Sequence, residues 1–211
     1  MTAATSLTSV PRCSLMSILY RYGSTYYINM TNRCPCRCVF CVRDSTPRLG
    51  DADSLWLDHE PTVEEVMREL RAVDLSKSRE VVFCGYGEPT ERFDDVLECA
   101  RRIKAEFGKP VRLDTNGLGN LINGRDIVPE MEGVIDSVSI SLNAPNSEEY
   151  MEVSRPSFGE DAYPAVLDFI RECRERISGV TVSVVGGSIS QESEDECARM
   201  AMDMNVRFRV R

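Results

Sequence analysis

Four cysteines fall within eight residues, Cys34-Pro35-Cys36-Arg37-Cys38-Val39-Phe40-Cys41. Thiolates are soft ligands for iron and zinc. Three from one short loop, Cys34, Cys38 and Cys41 in a C-x3-C-x2-C spacing, can hold three irons of a 4Fe-4S cube while the fourth iron keeps an open position, as a catalytic centre requires. The alternative is a non-catalytic module with a closed iron-sulfur or zinc site, in which Cys36 or a distant cysteine adds a fourth thiolate. Closed sites usually show paired C-x2-C ligand sets, and this chain has one such pair, Cys38 and Cys41. The nine cysteines are odd in number and clustered, which argues for metal ligation in a reducing compartment over a disulfide scaffold. Cys84, Cys99, Cys173 and Cys197 are too dispersed for a second ligand set, and Cys99 and Cys173 read as buried helix thiols.

Further polar motifs follow apolar runs. In Gly85-Tyr86-Gly87-Glu88-Pro89-Thr90 the glycines let the backbone approach a ligand, and backbone groups with the Glu88 carboxylate can accept bonds from an ammonium group. The plainer reading is a tight strand-to-helix turn, with Pro89 starting the helix. Asp114-Thr115-Asn116-Gly117 and Ser139-Ile140-Ser141-Leu142-Asn143 place polar residues suited to a ribose or an amino acid, or supply ordinary turn chemistry. Arg207 and Arg209 alternate, so that they either offer a cation to a ligand carboxylate from inside the fold or sit solvated on an edge strand. His59 reads as part of a solvated helix approach, and the acidic run 191–196 as a helix start.

The elements that must hold these residues alternate along the chain. Aromatic and β-branched runs predict strands at 25–30, 80–84, 111–114, 135–142, 180–185 and 206–210. Apolar residues at helical spacing predict helices at 61–70, 93–107, 127–131, 162–177 and 192–204. Six strands alternating with helices imply right-handed parallel βα units in an α/β sheet or incomplete barrel, with every polar motif at a strand's carboxyl end, where such folds bind ligands. Residues 1–23 read as an N-terminal covering segment, 24–211 as the core domain, and the loop 44–60, with the only Trp and the only His, as a lid.

A chain of 211 residues with 42% hydrophobic content fits one globular domain. Its net charge of -9 lowers the case for non-specific nucleic-acid binding. No apolar stretch approaches the roughly 18–20 residues of a membrane span, and no signal peptide is visible, so a cytoplasmic location is expected.

Taken in order, the three-cysteine motif with Phe40 before its last cysteine, the GGEP-like motif and the polar strand ends resemble the radical S-adenosylmethionine (SAM) superfamily over about 26–211. Asn32-Arg33-Cys34-Pro35, Asp114-Thr115-Asn116-Gly117 and Ser141-Leu142-Asn143-Ala144-Pro145 are most similar to the small TatD-associated branch. The resemblance implies an incomplete (β/α)6 parallel barrel with a 4Fe-4S cluster on Cys34, Cys38 and Cys41 and S-adenosyl-L-methionine on its open iron. An electron from the cluster would cleave SAM to methionine and a 5′-deoxyadenosyl radical that takes a hydrogen atom from substrate. By the same resemblance, Phe40 packs near the adenine. Gly85, Gly87 and Glu88, in one motif with Tyr86 and Pro89, contact the methionyl amino group, and Asp114, Asn116, Ser141 and Asn143 bind ribose or carboxylate. Tyr86 stands where the family has a second glycine, and the family's Gly-x-Ile-x-Gly is only loosely echoed by Val185-Gly186-Gly187-Ser188-Ile189. The resemblance names no catalytic residue. It implies as partners SAM, an electron donor such as flavodoxin or ferredoxin, a substrate that an open barrel mouth would admit even if macromolecular, and a functional link to a TatD nuclease, with no membrane.

Overall fold

The computed structural model describes residues 16–45 and 49–211. Seven strands form one sheet in chain order: β1 (Leu19–Tyr22), β2 (Thr25–Ile28), β3 (Val81–Phe83), β4 (Val111–Thr115), β5 (Ser137–Ser141), β6 (Gly179–Val184) and β7 (Arg207–Val210). From β2 to β7 each strand pairs parallel with the next, and these are the six expected strands. The seventh lies within the segment 1–23 and is not among the expected strands: β1 runs antiparallel to β2 through a turn at Gly23, whose φ of 62° suits glycine. Residues 1–15 of that segment lie outside the described residues.

The helices are α1 (Val42–Ser45), α2 (Val63–Arg71), α3 (Phe93–Phe107), α4 (Gly119–Asn123), α5 (Val128–Met131), α6 (Ser147–Ser154), α7 (Ala162–Arg176) and α8 (Gln191–Asp203). α3 buries the expected stripe of Val96, Leu97, Ala100 and Ile103 and stops at Gly108, left-handed at φ 62°. α2 starts on a capping box: Glu65 donates its N–H to Thr62 Oγ1 at 3.2 Å, and the Thr62 N–H donates to Glu65 Oε2 at 2.9 Å.

Strand order without reversal, with right-handed crossovers, puts the helices on one face and leaves the other as the inside of an open barrel. The strands show the matching alternation. Val111, Leu113, Val138, Ile140, Val180 and Val182 join the buried core, while Arg112, Asp114, Ser139 and Thr181 occupy the intervening positions. No helix of the described residues is long and apolar enough to cross a membrane.

The described part of the expected lid is pinned rather than free. Asn29 Nδ2 donates to the Leu55 carbonyl and Asn32 Nδ2 to the Leu57 carbonyl, each at 2.7 Å, and Leu55 is fully buried. Of the two residues that marked this loop, Trp56 is about half exposed, and His59 lies beside Glu65.

Candidate active site

The cysteine loop leaves the end of β2 and is held from below by a helix the sequence did not announce. The Arg37 N–H reaches the Ser154 and Arg155 carbonyls at 3.1 and 3.2 Å, Val39 N–H the Val153 carbonyl at 2.9 Å, and Ser157 N–H the Pro35 carbonyl at 2.8 Å. The end of α6 therefore clasps the loop across the sheet, with an isolated antiparallel bridge between Cys36 and Pro156. Cys34, Cys38 and Cys41 stay partly accessible, while Cys36 is buried at 3% exposure, and none of the four is in a disulfide.

Cys36 lies between two of the expected ligands. Its thiol hydrogen-bonds Cys34 and Cys38, which lowers the pKa of both against the opposing effect of burial, while Cys36 itself is pushed far up. Cys41 is raised by burial. Among the described residues, no group of three His, Cys, Asp or Glu is arranged to hold a single metal ion. The donor set fits a multi-iron cluster: three partly accessible thiols from one shaped loop, with the fourth, Cys36, buried between two of them.

The rim after β3 comes very close to this loop. A Cβ on Gly85 would lie 2.0 Å from Asn29 Oδ1, and one on Gly87 would lie 2.2 Å from the Thr31 carbonyl oxygen and 2.6 Å from that of Arg33. Both glycines are thus required by protein packing, and the Glu88 N–H to Arg33 carbonyl bond at 2.8 Å locks the approach. Tyr86 is buried edge-on against Trp56, with ring centroids 5.2 Å apart, and Pro89 begins the 3-10 turn Pro89–Arg92.

Glu88 is buried, and its carboxylate is engaged within the protein. Oε1 accepts from Thr90 N at 3.1 Å, Thr90 Oγ1 at 2.8 Å and Thr115 Oγ1 at 2.7 Å, and Oε2 accepts from Asn116 N at 2.7 Å. Burial pushes its pKa up, and these hydrogen bonds oppose that. The last bond fixes Asn116, whose Nδ2 points to the Cys36 and Cys34 sulfurs at 3.8 and 4.0 Å. Asn116 is therefore the residue that joins the β4 rim to the cysteine loop.

On β4, Asp114 lies 2.8 Å from Arg112, which also pairs with Glu80 at 2.8 Å. Burial raises the Asp114 pKa, and the charges of Arg112 and Arg211 pull it back. The half-buried Cys84 beside it has its thiol pushed up to about 12 by desolvation and then by Asp114. Ser141 Oγ accepts from Arg211 Nη2 at 2.8 Å. Asn143 is buried in a left-handed conformation at φ 64°, with Nδ2 donating to Ser154 Oγ at 3.0 Å.

The buried side-chain acceptors without a hydrogen-bond partner among the described residues are Asn29 Oδ1, Asp114 Oδ1, Asn143 Oδ1 and Ser183 Oγ; Asp114 Oδ1 has the Arg112 ion pair, and Asn143 and Ser183 lie together on the β5–β6 side of this rim. Buried polar atoms are normally satisfied, so an orphaned pair at the carboxyl end of a parallel sheet fits a polar ligand. Phe40 is half-buried against the core beside Cys41. The expected residues thus gather at one end of the sheet. Asn32, quoted in the motif before Cys34, is among them, and Asn29, Ser154, Ser183 and Arg211 join them without having been singled out. Arg211 alone carried a signal, since it continues the two-residue period of Arg207 and Arg209.

A family model described as the Radical SAM superfamily matches residues 28–201. The chain is similar to a probable GTP 3′,8-cyclase of Thermococcus kodakarensis, 30% identical over 158 residues that cover 74% of this chain and 46% of that protein. It is also similar to a probable dual-specificity RNA methyltransferase RlmN of a Thermoanaerobacter species, 25% identical over 176 residues covering 77% of this chain and 47% of the relative. The chain therefore spans less than half the length of these two relatives. Among solved structures, a radical SAM methyltransferase from Sphaerobacter thermophilus aligns with a TM-score of 0.59 at 19% identity, covering 91% of this chain and 57% of that one. Streptococcus suis SuiB bound to precursor peptide SuiA aligns with a TM-score of 0.65 at 20% identity, covering 87% and 38%. These two structures share the fold.

Proposed function

The chain belongs to the radical SAM superfamily, and on that premise we propose that it cleaves SAM reductively and abstracts a hydrogen atom from a substrate bound inside the open barrel. The observation that carries this reading is the meeting of three partly accessible cysteines with a rim that holds the unpartnered buried acceptors of Asn143 and Ser183. Cys34, Cys38 and Cys41 hold the 4Fe-4S cluster. The chemistry the bound cofactors supply is one-electron cleavage of the sulfonium, giving methionine and a 5′-deoxyadenosyl radical.

The chain's own residues bind and orient. The backbone of Gly85, Tyr86 and Gly87 offers carbonyls to the methionyl ammonium, a task that leaves the Glu88 carboxylate in its internal network and Pro89 as the turn's start. Asn143 and Ser141 take the ribose, and Asp114 and Asn116 complete the polar wall. Phe40 covers the adenine, and Cys36 stays out of the ligand set.

The electron comes from a flavodoxin or ferredoxin. The similarity to proteins named as a nucleotide cyclase and an RNA methyltransferase supports a nucleotide-modifying member, and the branch motifs around Cys34 and Ser141 support a functional link to a TatD nuclease in the cytoplasm. The test is anaerobic reconstitution with iron and sulfide, then SAM and dithionite, with 5′-deoxyadenosine as the product assayed. Product that disappears in Cys38→Ala supports the reading. A reduced cluster whose EPR signal SAM does not perturb, with a fourth cysteine ligand found at the metal, establishes a closed non-catalytic site instead.

A further inference from the structure

β7 presents Arg207 and Arg209 on one face and Phe208 on the other, and Phe208 packs against the core. The two arginines therefore start from the concave face. Parallel register sets Arg207 level with Thr181 and Ser139, and Arg209 level with Ser183 and Ser141. Gly179 keeps the floor low beneath them: a Cβ there would lie 2.8 Å from Ser137 Cβ and 3.4 Å from Arg207 Nη2. The space they face is a cavity of about 430 Å³, lined among others by Glu80, Arg112, Ser139, Thr181, Arg207 and Arg209. That size falls within the roughly 300–1,000 Å³ of small-molecule sites.

The charges lining this cavity are unbalanced in a chain that is otherwise acidic. Its one carboxylate, Glu80, is already paired with Arg112 at 2.8 Å. Neither Arg207 nor Arg209 makes an ion pair among the described residues, although the chain has 34 acidic residues against 25 Lys and Arg. Two guanidinium forks with ten N–H donors between them, flanked by the Ser139 and Thr181 hydroxyls, offer more donors than one carboxylate takes up.

We propose that this cavity holds the phosphate end of a small phosphorylated substrate between Arg207 and Arg209. Ser141 lies two residues further up β5 than Ser139, roughly 7 Å at the strand rise. A molecule anchored by its phosphate at Arg207 therefore brings its far end to the rim assigned to SAM. The inference rests on that assignment and names the substrate class for it.

Inorganic pyrophosphate is the probe, titrated into the anaerobically reconstituted protein, with tartrate as a dicarboxylate comparator. Saturable pyrophosphate binding is expected, weakened at least tenfold in Arg207→Gln and in Arg209→Gln and unchanged in Arg171→Gln, whose side chain is exposed on α7 beside Asp168. Tartrate is expected to bind at least tenfold more weakly. Arg207→Lys, which keeps the charge without the fork, falls between the parent and Arg207→Gln and shows that the loss is not one of folding. Absence of saturable binding, equal weakening by Arg171→Gln, or tartrate binding as tight as pyrophosphate overturns the proposal. The SAM response of the wild-type EPR signal is recorded on the same samples. A SAM response without pyrophosphate binding removes the phosphate site alone, and Arg207-dependent binding without a SAM response removes the function reading alone.

Discussion

Glu88→Gln separates an internal strut from a ligand contact. In the parent, Oε1 receives Thr90 N–H and two hydroxyls, and Oε2 receives Asn116 N–H. A glutamine can keep its oxygen on only one side. The threonine hydroxyls can rotate and accept from the new NH2, but a backbone N–H cannot, so either orientation strands one buried backbone donor. A stranded buried donor costs about 1–3 kcal/mol, and Glu88→Ala, which strands both, costs about 2–6 kcal/mol. Urea denaturation of the cluster-free and reconstituted proteins measures the loss, with an unchanged m-value marking it as a change in stability. Because Asn116 N is the donor on Oε2, the reduced cluster's EPR signal shifts in the same variants. Stability within about 0.5 kcal/mol of the parent, the range of an ordinary surface change, together with a lost SAM response, would refute the strut and make the carboxylate a ligand contact.

Gly87→Ala drives a methyl carbon to 2.2 Å from the Thr31 carbonyl oxygen, which is backbone and cannot swing away. It is expected to lower stability by about 1–3 kcal/mol or more and to reduce iron uptake by the adjoining loop; an unchanged Tm would contradict the packing. Cys36→Ala retains its iron and sulfide content after reconstitution, whereas Cys34→Ala, Cys38→Ala and Cys41→Ala each lose it, and equal loss in Cys36→Ala would place Cys36 in the ligand set. Glu65 is held down to about 2 by the N–H and hydroxyl of Thr62 and by His59. Its folded pKa lies below its unfolded value, so its contribution is present above about pH 4.5 and fades as pH falls towards 2. The Tm deficit of Glu65→Gln relative to the parent should therefore shrink over that interval, and a deficit constant with pH would show that the capping box is not its source.

The parts legible in the sequence were those with a strong local period. Val96, Leu97, Ala100 and Ile103 announce α3 because four apolar residues share one helical stripe and a left-handed glycine ends it. β1 escaped because four residues with one buried side chain, Tyr20, carry little pattern, and its place depends on pairing with β2. α6 escaped for a similar reason: Tyr150, Val153 and Ser154 are its buried residues, and its start follows an Asn-Ala-Pro stretch that reads as a turn. At the site, residue types were legible and their partners were not. Glu88 stands out beside two glycines, yet its donors Thr115 and Asn116 are delivered by a neighbouring strand through the parallel register. The same holds for Gly85 and Gly87, whose need for a bare backbone is created by Asn29 and Thr31 on the segment leaving β2.

The clasp between the cysteine loop and α6 also orders events during biosynthesis. A chain made from its amino terminus exposes Cys34, Cys36, Cys38 and Cys41 long before Val153, Ser154 and Arg155 emerge to accept the loop's N–H groups. Contacts this distant in sequence form late, because the intervening chain must first be ordered. Until then the loop is four neighbouring thiols without a fixed shape, open to oxidation. On the proposed function, iron loading would wait for completion of the β5–α6 unit, since the loop's N–H partners at residues 153–155 belong to it.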